Sequence, residues 1–457
     1  MPSPTSTTGR RADAVVERIR GALWPVPCAG VLLAVALGVL LPAVDGRLEG
    51  PGGHPLTFAF GGGASAARDV LSAIAGSLIS VTGLTFSLTV VALQLSSSQY
   101  SPRLLQTFVT DRVVQATLAQ LVLTFVYALT VLRTVRTESA TDDDTAFVPR
   151  LSITVGYLLT LGSVVALVLF LGHLAQALRV ETMLRDVHDE SSSTIARVAG
   201  GEAGRSPDDR AAERRPAASG PLVPLAVRSS GFLRAVDERA AVAAARDAGV
   251  VVELGVRIGD PVVAGTPMAH ARLPERRSTL DPVPLEEALD RAVRLHFERS
   301  ASADVAYGLR KVVDIALRAL SPGVNDPTTA VHAISHASAL LGELAGCPLE
   351  VRAVRDEDGV VRLVLPSWDL PALLELGLEE LLLSSDGQPA VLRRLAALLR
   401  EVGWRARGGA VDGQLRGYAD TVAAAALRTT GISAAEAGRW RRDVDDALAG
   451  RWPAGDR

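Results

Sequence analysis

Two histidines and an aspartate form the most specific arrangement for chemistry in the sequence. His332 and His336 are four residues apart, so on a helix both imidazole rings would share one face and could bind a metal ion. Asp326 lies six residues before His332 and could approach the same face. The zinc-peptidase motif needs a glutamate directly after its first histidine, and Ala333 occupies that position. The alternative is that these three residues have only structural roles.

The segment SPGVNDPTTA reads as a tight turn between two helices. Asp326 is a favourable N-cap residue, and Pro327 suits the first helical position. Free backbone N–H groups at such a helix start can bind an anion, so Asn325 and Asp326 are candidate ligand-binding residues together with His332 and His336. A simple helix cap is the alternative.

Other catalytic patterns are absent from the sequence. No phosphate-binding loop is present, VRIGDPVVAG does not fit the dinucleotide-binding fingerprint, and no serine lies in a nucleophile elbow. Cys28 and Cys347 are the only cysteines, which excludes a disulfide scaffold. The net charge of -3 gives no electrostatic signal for nucleic acid. We therefore predict no catalytic residue, metal or cofactor, and no nucleic-acid partner.

The elements that must position these residues fall into two parts. Hydrophobic residues make up 48% of the 457, yet charged residues reach 21%, so the apolar residues must be concentrated locally. Four stretches carry no Asp, Glu, Lys or Arg and are long enough to cross a bilayer, which takes about 20 residues. They are Gly21–Val44, Val70–Pro102, Val113–Leu132 and Leu151–Leu178. We predict four transmembrane helices and a multi-pass protein in the lipid bilayer.

The distribution of arginine favours an orientation with both termini in the cytoplasm. Arginines are concentrated before the first span, between the second and third, and after the fourth. The Ala- and Arg-rich composition is typical of a GC-rich bacterial genome, so we expect a bacterial plasma (inner) membrane protein. His173, near the cytoplasmic end of the fourth span, is expected to be interfacial.

Small and polar residues follow helical spacing in two spans. The second span carries such a stripe on one face: Gly76, Ser80, Gly83, Ser87, Gln94 and Ser98. It has a second stripe on nearly the opposite face: Thr82, Thr85, Thr89 and Ser96. The third span adds Thr117, Gln120, Thr124 and Tyr127. These residues either pack helices together or line a hydrophilic path.

We predict four segments along the chain. They are a transmembrane domain over 1–180, a helix extension and linker over 181–220, a small β module over 221–275, and a mostly helical cytoplasmic domain over 276–457 with a β-hairpin near 349–365. The fold class is therefore membrane α-helical with a cytoplasmic α+β region. The alternation from Val250 to Ile258 predicts a strand.

The segment VRIGDPVVAGTPMA resembles the repeat of barrel-sandwich domains of the lipoyl and biotinyl-carrier type. Those domains attach their cofactor to a lysine. The only lysine of the chain is Lys311, outside this module, so covalent biotin or lipoate is excluded.

Three segments together resemble the bacterial predicted membrane proteins known as domain of unknown function 2254. They are SLISVTGLTFSLTVVALQLSSSQYSPRLL, SGFLRAVD with the later GDPVVAGTPMA, and DIALRALSPGVNDPTTA. The resemblance covers most of the chain and implies an integral membrane protein, without supplying a reaction.

Three hypotheses for the function remain open. The first is a channel-like or transport-related homo-oligomer with a cytoplasmic regulatory domain. The second is a membrane-tethered binding or structural module. The third is a metal-dependent enzyme centred on Asp326, His332 and His336, although we expect no enzyme.

Overall fold

The computed structural model describes residues 24–48, 60–99, 111–136, 147–177, 179–203, 220–275, 277–300, 303–347, 349, 351–406 and 409–452. The predicted N-terminal tail and most of the predicted linker lie outside the described residues. The chain divides into two compact units, Met1–Thr182 and Met183–Arg457. Each unit has its own core.

The first unit contains four helices, α1 Pro25–Leu48, α2 Ala64–Gln99, α3 Arg112–Leu132 and α4 Arg150–Ala177. Among the described residues, these four are long and apolar enough to cross a membrane. The predicted set of four spans is thereby confirmed. At 1.5 Å per residue, α2 is about 54 Å long, well beyond the roughly 30 Å thickness of the hydrocarbon core.

Helix α3 is the centre of this bundle and contacts each of the other three helices. In the most apolar 18-residue stretch of α3, 56% of the residues are buried, against 22% in the corresponding stretch of each other helix. Tyr127 and Val131 are fully buried in a core with Leu71 of α2 and Ile153 of α4. Small residues let the backbones approach: a Cβ on Gly38 of α1 would lie 2.7 Å from Cβ of Thr130.

A buried carboxylate joins α1 to the start of α4. Asp45 is 3% exposed and accepts hydrogen bonds from the backbone N–H groups of Leu151 (2.9 Å) and Ser152 (3.0 Å). The Ser152 hydroxyl donates to the same carboxylate at 2.6 Å. Asp45 thus supplies the N-terminal cap that α4 lacks in its own sequence. Asp45 directly follows the uncharged stretch Gly21–Val44, and it belongs to α1 because the helix continues to Leu48.

A second carboxylate serves the opposite end of the bundle. Asp111 caps α3 by accepting from the N–H of Val113 at 2.8 Å. Its other oxygen lies 2.5 Å from Nε2 of His173, near the end of α4. His173, expected from the sequence to be interfacial, therefore pairs with the cap of a neighbouring helix.

The second unit begins within helix α5, Val180–Ala203, and continues into two sheets. The strands are β1 Leu222–Ala226, β2 Gly231–Val236, β3 Val251–Leu254, β4 Pro261–Val262, β5 Pro267–Arg272, β6 Val293–His296, β7 Arg352–Arg355 and β8 Val361–Leu365. One sheet has the order β1-β5-β3-β8-β7, with β3 and β8 parallel and the other pairs antiparallel. The other sheet has the order β4-β2-β6 and is antiparallel.

The predicted strand from Val250 to Ile258 is shorter than its alternation indicated. Strand β3 ends at Leu254, and the chain then bends through Gly255 into a turn around Gly259, whose φ is +95°. Between β2 and β3 the chain forms a helix that the sequence analysis missed, α6 Glu238–Ala248, which packs against β3, β7 and β8. Asp237 caps this helix by accepting from the N–H of Ala240.

The remaining helices of this unit are α7 Val283–Ala292, α8 Val305–Leu320, α9 Pro327–Ala345, α10 Leu370–Ser384, α11 Pro389–Arg405, α12 Asp412–Arg428 and α13 Ala434–Leu448. Helix α8 buries Leu309, Val312, Val313 and Ala316, which recur at the spacing of one helix face. It packs against α9 and α10, and α9 packs against α11.

Replacement of Asp45 tests whether its carboxylate stabilises the bundle. We expect Asp45→Ala to lower the free energy of unfolding by about 2 kcal/mol, since buried N–H groups of α4 lose their acceptor. Asp45→Asn keeps one acceptor oxygen and should have a smaller effect. The measurement is a denaturant titration of the full chain in detergent micelles.

The matched control is Arg47→Ala, which removes an exposed charge from the same helix end. An Asp45→Ala protein as stable as the Arg47→Ala protein would contradict the proposed role of the cap.

Candidate functional site

Asn325 and Asp326 lie in the turn between α8 and α9, where hydrogen bonds hold both side chains. Asn325 has a φ of +47°, in the left-handed region that asparagine tolerates better than most residues. Its side-chain oxygen accepts a hydrogen bond from Nε2 of Gln388 at 2.9 Å. Asn325 is exposed, so this contact fixes the turn at the surface.

Asp326 is the N-cap of α9. One carboxylate oxygen accepts from the N–H groups of Thr328 and Thr329, both at 3.1 Å, and the other accepts from the Thr329 hydroxyl at 2.6 Å. The Thr329 hydroxyl, followed by the backbone donors, holds the pKa of Asp326 below its ordinary value. Both carboxylate oxygens of Asp326 therefore cap α9, which is the structural role expected of an N-cap residue.

The two predicted histidines have different surroundings. His332 is exposed, whereas His336 is half-buried one turn further along α9. The ring of His336 meets the ring of His188 on α5 edge to face, with centroids 5.0 Å apart. No group of three His, Cys, Asp or Glu side chains among the described residues is placed to hold a metal ion.

Burial is the main reason why the pKa of His336 is lowered. Positive charge on His188, His332 and Arg185 lowers it further, while Asp189 acts in the opposite direction. The ring is therefore favoured as neutral imidazole against α5.

Helix α5 is attached to α8 and α9 by polar contacts that the sequence analysis missed. Nζ of Lys311 lies 2.6 Å from a carboxylate oxygen of Glu190, and Lys311 is only 6% exposed. The Ser192 hydroxyl donates to Glu343 at 2.8 Å. A Cβ on Gly308 would lie 1.9 Å from Oγ of Ser191, so only glycine permits this approach. The only lysine of the chain, set among the apolar residues of α8, was the available sequence signal.

The polar stripe of α3 lies inside the bundle. Thr124 and Tyr127 are fully buried, and Thr117 is 4% exposed. Nε2 of Gln120 donates to the Leu159 carbonyl at 3.2 Å, and the Thr124 hydroxyl lies 2.9 Å from that of Ser163. The Tyr127 hydroxyl donates to the Ser152 carbonyl at 2.8 Å. This stripe thus joins α3 to α4.

The first stripe of α2 lies on the outside. Gly76, Ser80, Gly83, Ser87 and Gln94 are all exposed, and the Ser98 side chain lies outside the described residues. A Cβ on Gly76 or on Gly83 would meet no atom within 4 Å. Thr85 and Thr89, from the opposite stripe, are instead buried against the bundle. The structure therefore does not bring the first stripe of α2 together with the stripe of α3.

Comparison with known proteins places the chain among membrane proteins. A family model described as "Predicted membrane protein (DUF2254)" matches residues 20–401. Uncharacterized proteins of Mycobacterium bovis and Mycobacterium tuberculosis are each 33% identical over 404 residues, covering 87% of this chain and 74% of theirs. No solved structure matches the chain.

The neutral state of His336 predicts a pH dependence of stability. Above an unfolded-state pKa of about 6.5, neither state carries the proton. As the pH falls below that value, the unfolded state binds the proton first, because the folded-state pKa is lower. The free energy of unfolding should therefore decrease between about pH 7 and pH 5.

His336→Gln should make the unfolding temperature depend less on pH over the same pH range. His296→Gln, at an exposed histidine of β6, is the matched control. An unchanged slope in His336→Gln would disprove the assignment.

Proposed function

We propose that this chain, which belongs to the family of predicted membrane proteins known as domain of unknown function 2254, forms a channel-like homo-oligomer of the bacterial plasma membrane. In this proposal α2 faces a neighbouring copy or a common axis, and the second unit is a cytoplasmic regulatory domain. The exposed polar stripe of α2 is the observation that carries the proposal.

The stripe is difficult to account for as a lipid-facing surface. The Ser80 hydroxyl donates to the Gly76 carbonyl of its own helix at 3.2 Å, so serine adapts to hydrocarbon at small cost. The amide of Gln94 has two donors and an acceptor, and it is expensive to leave such a group without partners in lipid. Another copy of α2, or water along an axis, would provide those partners.

The residues on either side of the stripe indicate that α2 makes a narrow contact along the stripe. Large apolar side chains lie beside the stripe and are exposed, including Ile79, Leu84 and Phe86. Such residues suit lipid, whereas glycine and serine allow close approach of two helices. This division of the surface supports a contact or path along the stripe alone.

A regulatory role for the second unit is supported by its attachment to the chain that leaves the membrane. Helix α5 starts three residues after α4 ends, and Glu190 and Ser192 bind it to α8 and α9. In this proposal both termini are cytoplasmic, as the arginine distribution favours.

We also propose that the small β module is barrel-sandwich-like. One core shared by residues from both sheets supports it, with Leu225, Leu233, Val252, Val262 and Met268 buried together. In this proposal the β module serves packing and assembly.

Cysteine cross-linking in native membranes tests the position of α2. In a Cys28→Ser, Cys347→Ser background, Ser80→Cys and Ser87→Cys should form oxidative dimers, because their positions face another copy. Val168→Cys is the control, since Val168 is 64% exposed on α4 and is expected to face lipid. Dimers at Val168 but not at the stripe would overturn the proposed arrangement.

Flux through reconstituted vesicles separates a channel from a tethered module. Wild-type protein should release entrapped small ions, and Ser87→Leu should reduce the release rate about tenfold or more by making the path apolar. Val168→Leu should leave the rate unchanged. Cross-linking along α2 without any flux would instead favour the alternative, a membrane-tethered binding or structural module.

A further inference from the structure

Two histidines from distant parts of the chain meet within the second unit, His188 of α5 and His336 of α9. Their ring centroids are 5.0 Å apart and the ring planes are inclined by 61°, an edge-to-face contact. Histidine is the side chain whose ordinary pKa places its change of charge near neutral pH. A contact made by two such rings between two helices can therefore respond to protons.

One polar atom of this contact has no hydrogen bond. Nδ1 of His188 is buried and meets no hydrogen-bond partner among the described residues. A buried polar atom without a partner costs free energy, and contact with water would recover it. Separation of α5 from α9 would hydrate this nitrogen, which offsets part of the free energy needed to open the contact.

The charged and titratable groups that act on His336 come from both helices. They are Arg185, His188 and Asp189 on α5, and His332 on α9 itself. Burial is the largest cause of the lowered pKa of His336; positive charge on His188, His332 and Arg185 adds to it, and Asp189 opposes it. The closed contact therefore disfavours a proton on the His336 ring.

Proton binding and the helix contact are linked thermodynamically. Because packing against α5 lowers the affinity of His336 for a proton, a bound proton weakens that packing by the same factor. In the open arrangement the ring would be hydrated and would regain the ordinary pKa of histidine, about 6.5. Acid below that value therefore favours the arrangement in which α5 has left α9.

Another side of α5 is attached separately to α8. At about 100° per residue, Glu190 lies about 200° around the helix from His188, and its carboxylate pairs with Lys311 of α8 at 2.6 Å. Ser192 shares the face of His188 and donates to Glu343 of α9 at 2.8 Å. Opening on the α9 side would break the Ser192 bond and keep the Glu190 pair, so α5 would tilt away from α9 without leaving α8.

We propose that the contact between His188 and His336 is a proton-sensitive switch, in which protonation of His336 releases α5 from α9 while α5 stays attached to α8. The release takes place within the second unit and does not depend on the oligomer proposed above. Its use as a signal rests on the proposed regulatory role of that unit, because α5 continues the chain from the fourth span.

The distance between spin labels on α5 and α10 tests the release in the full chain in detergent. In a Cys28→Ser, Cys347→Ser background, the labels are attached at Ser193→Cys and Leu383→Cys, two exposed positions. Ser193 lies about 140° around α5 from His188, away from α9, and α10 packs against α8. We expect the distance found at pH 8 to remain in fewer than half of the molecules at pH 5, with a midpoint below about pH 6.5.

Two variants of His336 separate its protonation from other effects of acid. His336→Gln is neutral at every pH and should keep the pH 8 distance at pH 5. His336→Arg carries a permanent positive charge and should show the acid distance already at pH 8. The matched control is His296→Gln, at an exposed histidine of β6, which should respond to pH as the wild type does. If His336→Arg fails to fold, the comparison of His336→Gln with the wild type decides.

Each label is also measured alone, so that distances between copies of the chain are recognised. An unchanged distance between pH 8 and pH 5 in the wild type, or the wild-type change in His336→Gln, would overturn the proposal. A change that occurs only when circular dichroism shows the chain unfolding would refute it as well. Because the distance lies within one copy and requires no flux, a failure here is distinguishable from a failure of the channel hypothesis.

Discussion

The carboxylate of Asp45 carries the interaction on which the membrane unit depends. It is buried at the end of α1 and accepts hydrogen bonds from the first free N–H groups of α4, which would otherwise be buried without partners. In the same segment of α4, the Ser152 carbonyl accepts a hydrogen bond from the Tyr127 hydroxyl of α3. Three helices are thus joined around Ser152 at one end of the bundle. At the other end, Asp111 and His173 join α3 to α4.

The hydrogen bonds that polar side chains make within the bundle explain why the stripe of α3 is buried and the first stripe of α2 is exposed. Gln120, Thr124 and Tyr127 of α3 bond to α4 within one copy of the chain. The Gly76–Gln94 face of α2 lies opposite its packed face and stays exposed. The inner stripe therefore stabilises the protomer, and the outer stripe is the surface from which we infer assembly.

Much of the membrane unit could be predicted from the sequence, because uncharged stretches of sufficient length are specific to spans. The role of Asp45 could not, since the apolar run ends at Val44 and nothing in the charge pattern shows the helix continuing. Spacing placed Ser80 and Thr85 on opposite faces of α2 without showing which face is packed. That choice depends on the side chains of α3, which no local pattern specifies.

The second unit was harder to predict because its contacts join distant segments. Asp326 was recognised as an N-cap from its neighbours alone, whereas the contact between His188 and His336 needs α5 placed beside α9.

The orientation of the outer stripe of α2 in the assembled protein is the central claim. The most direct measurement is an electron cryo-microscopy structure of the full chain in lipid nanodiscs. The account predicts an oligomer in which Ser80 and Ser87 face a neighbouring copy or a common axis. A structure in which the same side chains face lipid would contradict it.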